Sequence, residues 1–458
     1  MLKKLTILIH AGLLIGLLAP SSRGQDQNFV VRLGTGADVV SVAARNGMTV
    51  VRSLAGSATG IHVLSAPAGQ APAVTLQNLA SDPYVLSAEP DGAVLHPGQD
   101  AAAAIHPASA VQPVLPIDGT PVSFFGMTVA NGYINQPAAA IINLSQAQGL
   151  ATGTGTVAVL DTGIDLSQPV LLGSLVPGWD FVNGLPGGQE IADINQETTP
   201  ILDQETTPIL DQETTPILDG GSAIVLTQET TPILDQETTP ILDNPQLYPA
   251  YGHGTMVAGL IHLVAPTASI MPVKVFAADG TATISRVIEG LYWAVDNGAD
   301  VINMSFSTRL PSQTLKAALQ YAYSQGVICV SAAGNDGAEE TLYPAAYDGY
   351  VIAVASTDNQ EIRSLFSNFG DHVDLAAPGE GVITTYPGNH YAMVWGTSFS
   401  APMVAGAAAL FLQVNKSLNA WQARSALSQA EAIGQELGAG ELDLFRSLSY
   451  LLRSGRDD

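Results

Sequence analysis

Three short motifs, separated by long stretches of chain, determine which side chains have to come together when this protein folds. They are Asp161-Thr162-Gly163, His253-Gly254-Thr255 and Gly396-Thr397-Ser398-Phe399-Ser400-Ala401-Pro402. A serine hydroxyl is a weak nucleophile near neutral pH, so it needs a neighbouring base. That base in turn needs a carboxylate that orients it and stabilises its charged form. The motifs therefore predict a catalytic triad of Asp161, His253 and Ser398.

Each motif also stands where an α/β fold places functional residues. Residues 155–160 are a mostly apolar run that predicts a buried parallel strand, with Asp161 at its carboxyl end. Sites in open α/β sheets form at that end of the strands. His253 and Ser398 each begin an apolar run that predicts a buried helix, and a helix N-terminus offers free N–H groups to negative charge.

In order and composition, these motifs resemble those of the subtilisin-like serine proteases, the subtilase family. The resemblance covers most of residues 25–458. It implies a three-layer α/β domain with a mostly parallel central sheet, preceded by a small α+β prodomain. The implied function is that of a secreted serine endopeptidase, made as a zymogen and acting through an acyl-enzyme.

The resemblance implies further site residues. Asn335 follows a predicted strand over 327–330 and matches the family's oxyanion-hole amide, which acts together with the Ser398 backbone N–H. Many relatives have glycine where Ser307 stands, which leaves the shape of the adjacent pocket open. Pro344 matches a family proline with a cis peptide bond. The residues that match the family's substrate-binding segments, where substrate pairs as an added strand, are Ser305, Phe306, Ser307, Ala333 and Gly334.

The implied reaction requires no cofactor, and the sequence carries over no metal site. Many relatives have an Asn-rich loop after the histidine motif that helps to hold a structural calcium. Here residues 260–266 lead almost directly into an apolar strand pattern at 268–275. Binding of Ca²⁺ therefore stays open, with no ligands assigned. His262, within this stretch, is expected on the helix surface.

The whole chain is predicted to divide into four segments. Residues 1–24 have the basic start and apolar stretch of a signal peptide, with an uncleaved anchor as the alternative. Residues 25–97 resemble the family's inhibitor prodomain, with an unrelated small domain as the alternative. Their pattern predicts strands at 29–33, 48–51 and 60–64 and helices at 39–47 and 73–80. Residues 98–133 are predicted to be a linker containing the maturation bond, and residues 134–458 the catalytic domain. Within that domain the pattern predicts helices over 138–150 and 313–324 and a strand at 301–304.

An acidic octapeptide array separates Asp161 from His253. The sequence Gln-Glu-Thr-Thr-Pro-Ile-Leu-Asp occurs five times within 196–243, and residues 220–227 form a degenerate copy in phase. A period of eight is too short for a helical solenoid, and the proline interrupts helix and central strand. One interpretation is a Ca²⁺-binding array; the other, which we favour, is a solvated insertion grown by duplication, because no glycine-turned ligand loop accompanies the carboxylates.

Composition narrows the range of partners. Hydrophobic residues make up 47% of the chain and charged residues 12%, which suits a large buried core. The formal charge of −25 argues against nucleic acid or anionic lipid as partners. The expected partners are polypeptide substrates and the prodomain as an intramolecular inhibitor, with no stable membrane span. Cys329 is the single cysteine, and we expect it in a core strand.

Two other functions stay open at this point. The chain could be a catalytically weak binding or adhesion homologue that uses its repeat array, or an esterase or peptidyl transferase with the same acyl chemistry. A binding module has no need of Asp161, His253, Asn335 and Ser398 together, and this favours the protease.

Overall fold

The computed structural model describes residues 27–54, 60–95, 117–194, 223–225 and 248–454. The chain divides into two units, one ending at Asp91 and the other running from Gly92 to Asp458. The predicted signal peptide, most of the predicted linker and nearly all of the octapeptide array lie outside the described residues.

The first unit is a four-stranded antiparallel sheet with two helices. Its sheet order is β2-β3-β1-β4. Alternate residues of the first strand, among them Phe29 and Val31, pack with Leu79 of the second helix in one apolar cluster. The strands and helices predicted there are confirmed, with small shifts at their ends. The elements are β1 (Gln27–Leu33), α1 (Val39–Arg45), β2 (Thr49–Ser53), β3 (Ile61–Ala66), α2 (Pro72–Ser81) and β4 (Val85–Pro90).

The second unit contains the three motifs. Its strands are β5 (Ala93–Leu95), β6 (Pro121–Phe124), β7 (Met127–Ala130), β8 (Thr156–Asp161), β9 (Trp179–Asp180), β10 (Leu185–Pro186), β11 (Ala223–Val225), β12 (Ser269–Lys274), β13 (Thr281–Thr283), β14 (Val301–Met304), β15 (Ile328–Ala332), β16 (Val351–Thr357), β17 (Leu375–Pro378), β18 (Glu380–Tyr386) and β19 (His390–Trp395).

Its helices are α3 (Asn131–Ile134), α4 (Pro137–Ile141), α5 (Leu144–Gln148), α6 (His253–Val264), α7 (Ile284–Asp296), α8 (Gln313–Ser324), α9 (Thr397–Val414), α10 (Ala420–Leu427) and α11 (Leu444–Ser454), with one-turn 3₁₀ helices at Glu190–Asp193 and Gln435–Leu437.

The central sheet has the order β10-β9-β12-β8-β14-β15-β16-β17, and every neighbouring pair except β10–β9 is parallel. Val157 and Val159 of β8 join the apolar cluster formed with α6 and α9. Ala158 and Leu160 alternate with them and are equally buried, so they face the opposite layer, where α7 packs. The predicted three-layer α/β fold with a mostly parallel sheet is confirmed.

The position of β8 explains where a site can form. The chain passes from β8 through α6 to β12 on one side, and then through α7 to β14 on the other side of β8. Such a reversal opens a crevice at the carboxyl ends of the strands. Asp161, the last residue of β8, lies at this point.

Two segments before β8 differ from the sequence-based expectation. Residues 117–133 are predicted as linker, yet β6 and β7 form a hairpin there and Tyr133 is fully buried, with its hydroxyl donating to Gly259 O at 2.6 Å. Their small, weakly periodic residues conceal this packing. The single helix predicted over 138–150 is two short ones, α4 and α5, because Asn143 between them adopts a φ of 54°.

The apolar helices α6 and α9 form the centre of this unit. Every residue of α6 is buried, including His262, whose Nδ1 lies 3.1 Å from Ser174 Oγ. The expectation that His262 lies on the helix surface is therefore wrong. Among the described residues, α9 alone is long and apolar enough to cross a membrane, and 89% of it is buried inside the protein, as is typical of a core helix.

Candidate active site

Asp161 and His253 form a direct, buried contact. Asp161 ends β8, and His253 is the first residue of α6, so the strand end and the helix start face each other. The distance from His253 Nδ1 to Asp161 Oδ1 is 2.8 Å, and Asp161 Oδ1 also accepts from the Thr162 N–H at 2.8 Å. A carboxylate on Nδ1 holds the imidazole with its Nε2 directed towards a reacting group.

Two glycines permit this approach. A Cβ on Gly254 would lie 1.9 Å from Gly163 O, so any side chain there would push the histidine helix off the aspartate motif. Gly252 has a φ of +90°, and its Cβ would meet the Tyr386 ring at 2.5 Å. The glycines on either side of His253 are therefore needed for close packing.

Ser398 lies in the first turn of α9, next to the histidine. The rings of His253 and Phe399 have centroids 5.3 Å apart, which brings the start of α9 against the start of α6. Ser398 Oγ donates to Ser305 O at 3.2 Å. The structure thus gathers the three motifs at one edge of the sheet, at the N-termini of two helices.

The first turn of α9 lacks one helical hydrogen bond, and a side-chain hydroxyl replaces it. Pro402 lies inside α9 and has no N–H, so Ser398 O loses its i+4 helical donor. The Ser305 hydroxyl donates to Ser398 O instead, at 2.8 Å, and accepts from Asn303 Nδ2 at 2.9 Å. Sequence reasoning missed this role of Ser305, although a proline four residues after Ser398 was the available signal.

Asn335 is oriented by the residue before the serine. Its Oδ1 accepts from Thr397 N at 2.9 Å and from Thr397 Oγ1 at 2.8 Å. With the oxygen held twice, Nδ2 is the donor left, and it lies beside Gly396, where a Cβ would be 3.6 Å away. Thr397 Oγ1 also accepts from Gly334 N at 3.3 Å.

The predicted substrate-binding residues fall into two groups. The side chains of Ser305, Phe306 and Ala333 are fully or almost fully buried. Phe306 packs on Phe276, with 5.1 Å between ring centroids. Only Ser307, which is half-buried, offers a side chain at the surface. Gly334 has a φ of 112° and is enclosed by Leu342 and Asn368. These segments can therefore present backbone to a ligand, but few side chains.

Two short strands of the second unit pair with each other. β5 runs antiparallel to β13, with Val94 opposite Ala282, and Ile284 N donates to Gly92 O at 3.0 Å. Val94 is 2% exposed. β5 lies at the start of the second unit, so this pairing is formed within that unit.

No group of three or more His, Cys, Asp or Glu side chains in the described part of the chain is arranged to hold a metal ion. Burial raises the pKa of the Cys329 thiol to about 12, as expected for a core cysteine. The Tyr343–Pro344 peptide bond is cis, as predicted.

Of the octapeptide array, only three residues of the degenerate copy are described. Ala223–Val225 form β11, which pairs in parallel with β19, with Ala223 opposite Tyr391. The intact copies, and any Ca²⁺ ligands among them, lie outside the described residues.

Comparison with known proteins gives a consistent result. A family model described as the subtilase family matches residues 153–443. Subtilisin BL of Lederbergia lenta is 44% identical over 192 residues, covering 40% of this chain and 71% of that protein. Thermitase of Thermoactinomyces vulgaris is 31% identical over 322 residues, covering 68% of this chain and 94% of that protein.

A solved structure has the same fold. Fervidolysin from Fervidobacterium pennivorans, a keratinolytic enzyme related to subtilisin, superposes with a TM-score of 0.65 at 21% identity. The alignment covers 94% of this chain and 62% of fervidolysin.

Proposed function

The chain belongs to the subtilase family of serine endopeptidases, and from that premise we propose that it hydrolyses polypeptides through Asp161, His253 and Ser398. The observation that carries the proposal is the 2.8 Å contact between His253 Nδ1 and Asp161 Oδ1, next to the helix turn that bears Ser398. This arrangement supplies a nucleophile, a base and an orienting carboxylate in one place.

In the first half of the reaction, Ser398 Oγ attacks the scissile carbonyl carbon and its proton passes to His253 Nε2. Asp161 stabilises the imidazolium that forms. The C–N bond then breaks, His253 returns the proton to the leaving amine, and the acyl group stays on Ser398. In the second half, water attacks the acyl carbon, His253 takes its proton, and Ser398 leaves with that proton.

The oxyanion of each tetrahedral intermediate needs donors that are already in place. We assign this role to Asn335 Nδ2 and the Ser398 backbone N–H. Asn335 is held through its oxygen by Thr397, and Ser398 lies in the first turn of an 18-residue helix, whose N-terminal dipole favours negative charge. Fixed donors of this kind do not have to reorganise when the charge develops.

We further propose that the protein is made as a zymogen with an intramolecular inhibitor. The pairing of β5 with β13 supports this, because a protease cleft binds its substrates as an added strand. Residues 25–97 would then be the prodomain, and cutting within the segment that follows would release it. Substrate would pair with β13 and with the backbone at 305–307 and 333–334.

The proposed location is extracellular, from the signal-like composition of residues 1–24. No cofactor enters the mechanism, and Ca²⁺ has no assigned role.

Replacing Ser398 with alanine tests the proposed nucleophile. The variant should lose hydrolysis by a factor on the order of 10⁶, should stay uncut, and should not react with a serine-directed fluorophosphonate. Ser447→Ala is a matched control, because Ser447 is also buried but belongs to α11 and to none of the three motifs. Labelling of Ser398→Ala at the wild-type rate would refute the assignment.

A further inference from the structure

A buried carboxylate joins the aspartate motif to the histidine motif from behind. Glu190 lies in the one-turn helix Glu190–Asp193 and is 1% exposed. Its Oε1 accepts from Thr162 Oγ1 at 2.5 Å and from Gly252 N at 2.9 Å. Its Oε2 accepts from Thr255 Oγ1 at 2.6 Å and from Thr255 N at 3.1 Å. Four donors therefore converge on a single side chain.

These donors come from both motifs. Thr162 is the residue after Asp161, whereas Gly252 and Thr255 lie on either side of His253. The two motifs are also hydrogen-bonded to each other directly, because Gly254 N donates to Thr162 Oγ1 at 3.0 Å. Besides the contact between Asp161 and His253, the hydrogen bonds through Glu190 thus help to determine how the two backbones are placed relative to each other.

A buried ion pair fixes the turn that carries Glu190. Lys274 is fully buried, and its Nζ lies 3.0 Å from Asp193 Oδ1. Nζ also donates to Thr162 O and lies 3.4 Å from Glu190 O. Asp193 Oδ2 accepts from Ala278 N at 2.7 Å. Lys274 is the register partner of Asp161 in the parallel pair β12–β8, so the two side chains extend from the same face of the sheet.

We propose that Glu190 is a positioning residue for the triad: it holds the Asp161 strand end and the His253 helix start in register without touching the reacting atoms. The inference rests on the proposed function. Glu190 is also separated from the octapeptide array by only a few residues. In the sequence, Glu190 lies 62 residues before Gly252, and the array lies between them.

The charged groups around Glu190 give the test a pH readout. Burial raises the pKa of Glu190 to about 7; Asp161 adds to the shift, while Lys274 and the Thr162 and Thr255 hydroxyls oppose it. The ionised carboxylate accepts from all four donors, whereas the protonated form has to give up an acceptor site. Activity on the acid side should therefore depend on the ionisation of Glu190.

The experiment compares Glu190→Gln and Glu190→Ala with Glu441→Gln. Glu441 is a matched control, because it is 1% exposed and burial raises its pKa to about 8, yet it lies outside the site. We expect kcat to fall about 100-fold in Glu190→Ala and about 10-fold in Glu190→Gln, with KM changed less than about threefold, because misplacement acts on the chemical step. The acid limb of kcat should lose one titrating group in Glu190→Gln. Glu441→Gln should keep the wild-type kcat and acid limb.

A wild-type kcat together with a wild-type acid limb in folded Glu190→Gln would overturn the proposal. If Glu190→Ala does not fold, the result for the isosteric Glu190→Gln variant is sufficient to test the proposal. The downfield NMR resonance of the His253 Nδ1 proton provides a readout that is independent of turnover. It should shift or broaden in Glu190→Gln and stay in place in Glu441→Gln; no change would also overturn the proposal. Wild-type labelling of Ser398 tests the proposed function separately, so the two failures are distinguishable.

Discussion

The two halves of the site are supported by different interactions. Asp161 and His253 are backed by buried charges, namely the Glu190 carboxylate and the Lys274–Asp193 ion pair. Ser398 is backed by neutral groups, the Ser305 hydroxyl and the amide of Asn335 through Thr397. Buried charges are costly unless they are paired, whereas neutral hydrogen bonds contribute modestly one by one. The half that contains the Asp161–His253 contact is thus the half whose supporting interactions depend on charged partners and on pH.

The largest effect is expected when the Lys274 cation is removed from the charged half. Lys274→Met should lower the free energy of unfolding by about 3–5 kcal/mol, because Asp193 and Glu190 would be left buried without their positive partner. Denaturant unfolding in a Ser398→Ala background, which prevents self-digestion, measures it. Lys416→Met, at an exposed position, should stay within about 0.5 kcal/mol of the parent. A loss below about 1 kcal/mol for Lys274→Met would mean that the charged supports contribute no more to stability than the neutral hydrogen bonds do.

The second prediction concerns pH. Because the pKa of Glu190 is raised from 4.5 to about 7 in the folded protein, the stability that it contributes is complete below 4.5 and is lost as the pH rises through 7. Glu190→Gln does not titrate. Its free energy of unfolding, relative to the parent, should therefore rise by about 3 kcal/mol between the two ends of that range. Ser305→Ala, in the neutral half, should differ from the parent in free energy of unfolding by the same amount at both ends of this pH range. If the pH curve of Glu190→Gln ran parallel to that of the parent, the comparison would be contradicted.

The smallest effect is expected in the neutral half. Ser305→Ala leaves Ser398 O without a donor and should cost about 1–3 kcal/mol of unfolding free energy. In a Pro402→Ala background the helix regains the N–H that this carbonyl lacks, so the same substitution should cost less than half as much. A double-mutant cycle measured by urea unfolding gives the coupling. Equal costs in both backgrounds would show that Ser305 does not replace the missing helical bond.

The fold could be predicted from sequence where pattern and packing agree. β14 and α8 match the predicted bounds, because one is a short apolar run and the other has a serine N-cap and a clear amphipathic period. The three motifs predicted the meeting of Asp161 and His253 because each ends or begins an element at the same sheet edge. The segment at 117–133 was hidden by its composition, since small residues can pack closely without any periodic signal.

The supports of the site could not be predicted in the same way. Glu190 and Lys274 lie on opposite sides of the array, and only the strand register and a one-turn helix bring them together. His262 looks like a surface histidine by residue type, yet α6 is enclosed on all sides, and burial lowers the pKa of His262 to about 4. Polar residues inside a core are placed by tertiary contacts, and these leave no local pattern in the chain.

The pairing of β5 with β13 within one polypeptide makes its occupancy independent of how dilute the protein is. A tethered segment meets its partner at an effective concentration on the order of millimolar. A strand with only micromolar intrinsic affinity would thus fill its groove in nearly every intact molecule. Once the backbone between them is cut, the same strand becomes a separate solute, and dilution alone empties the groove.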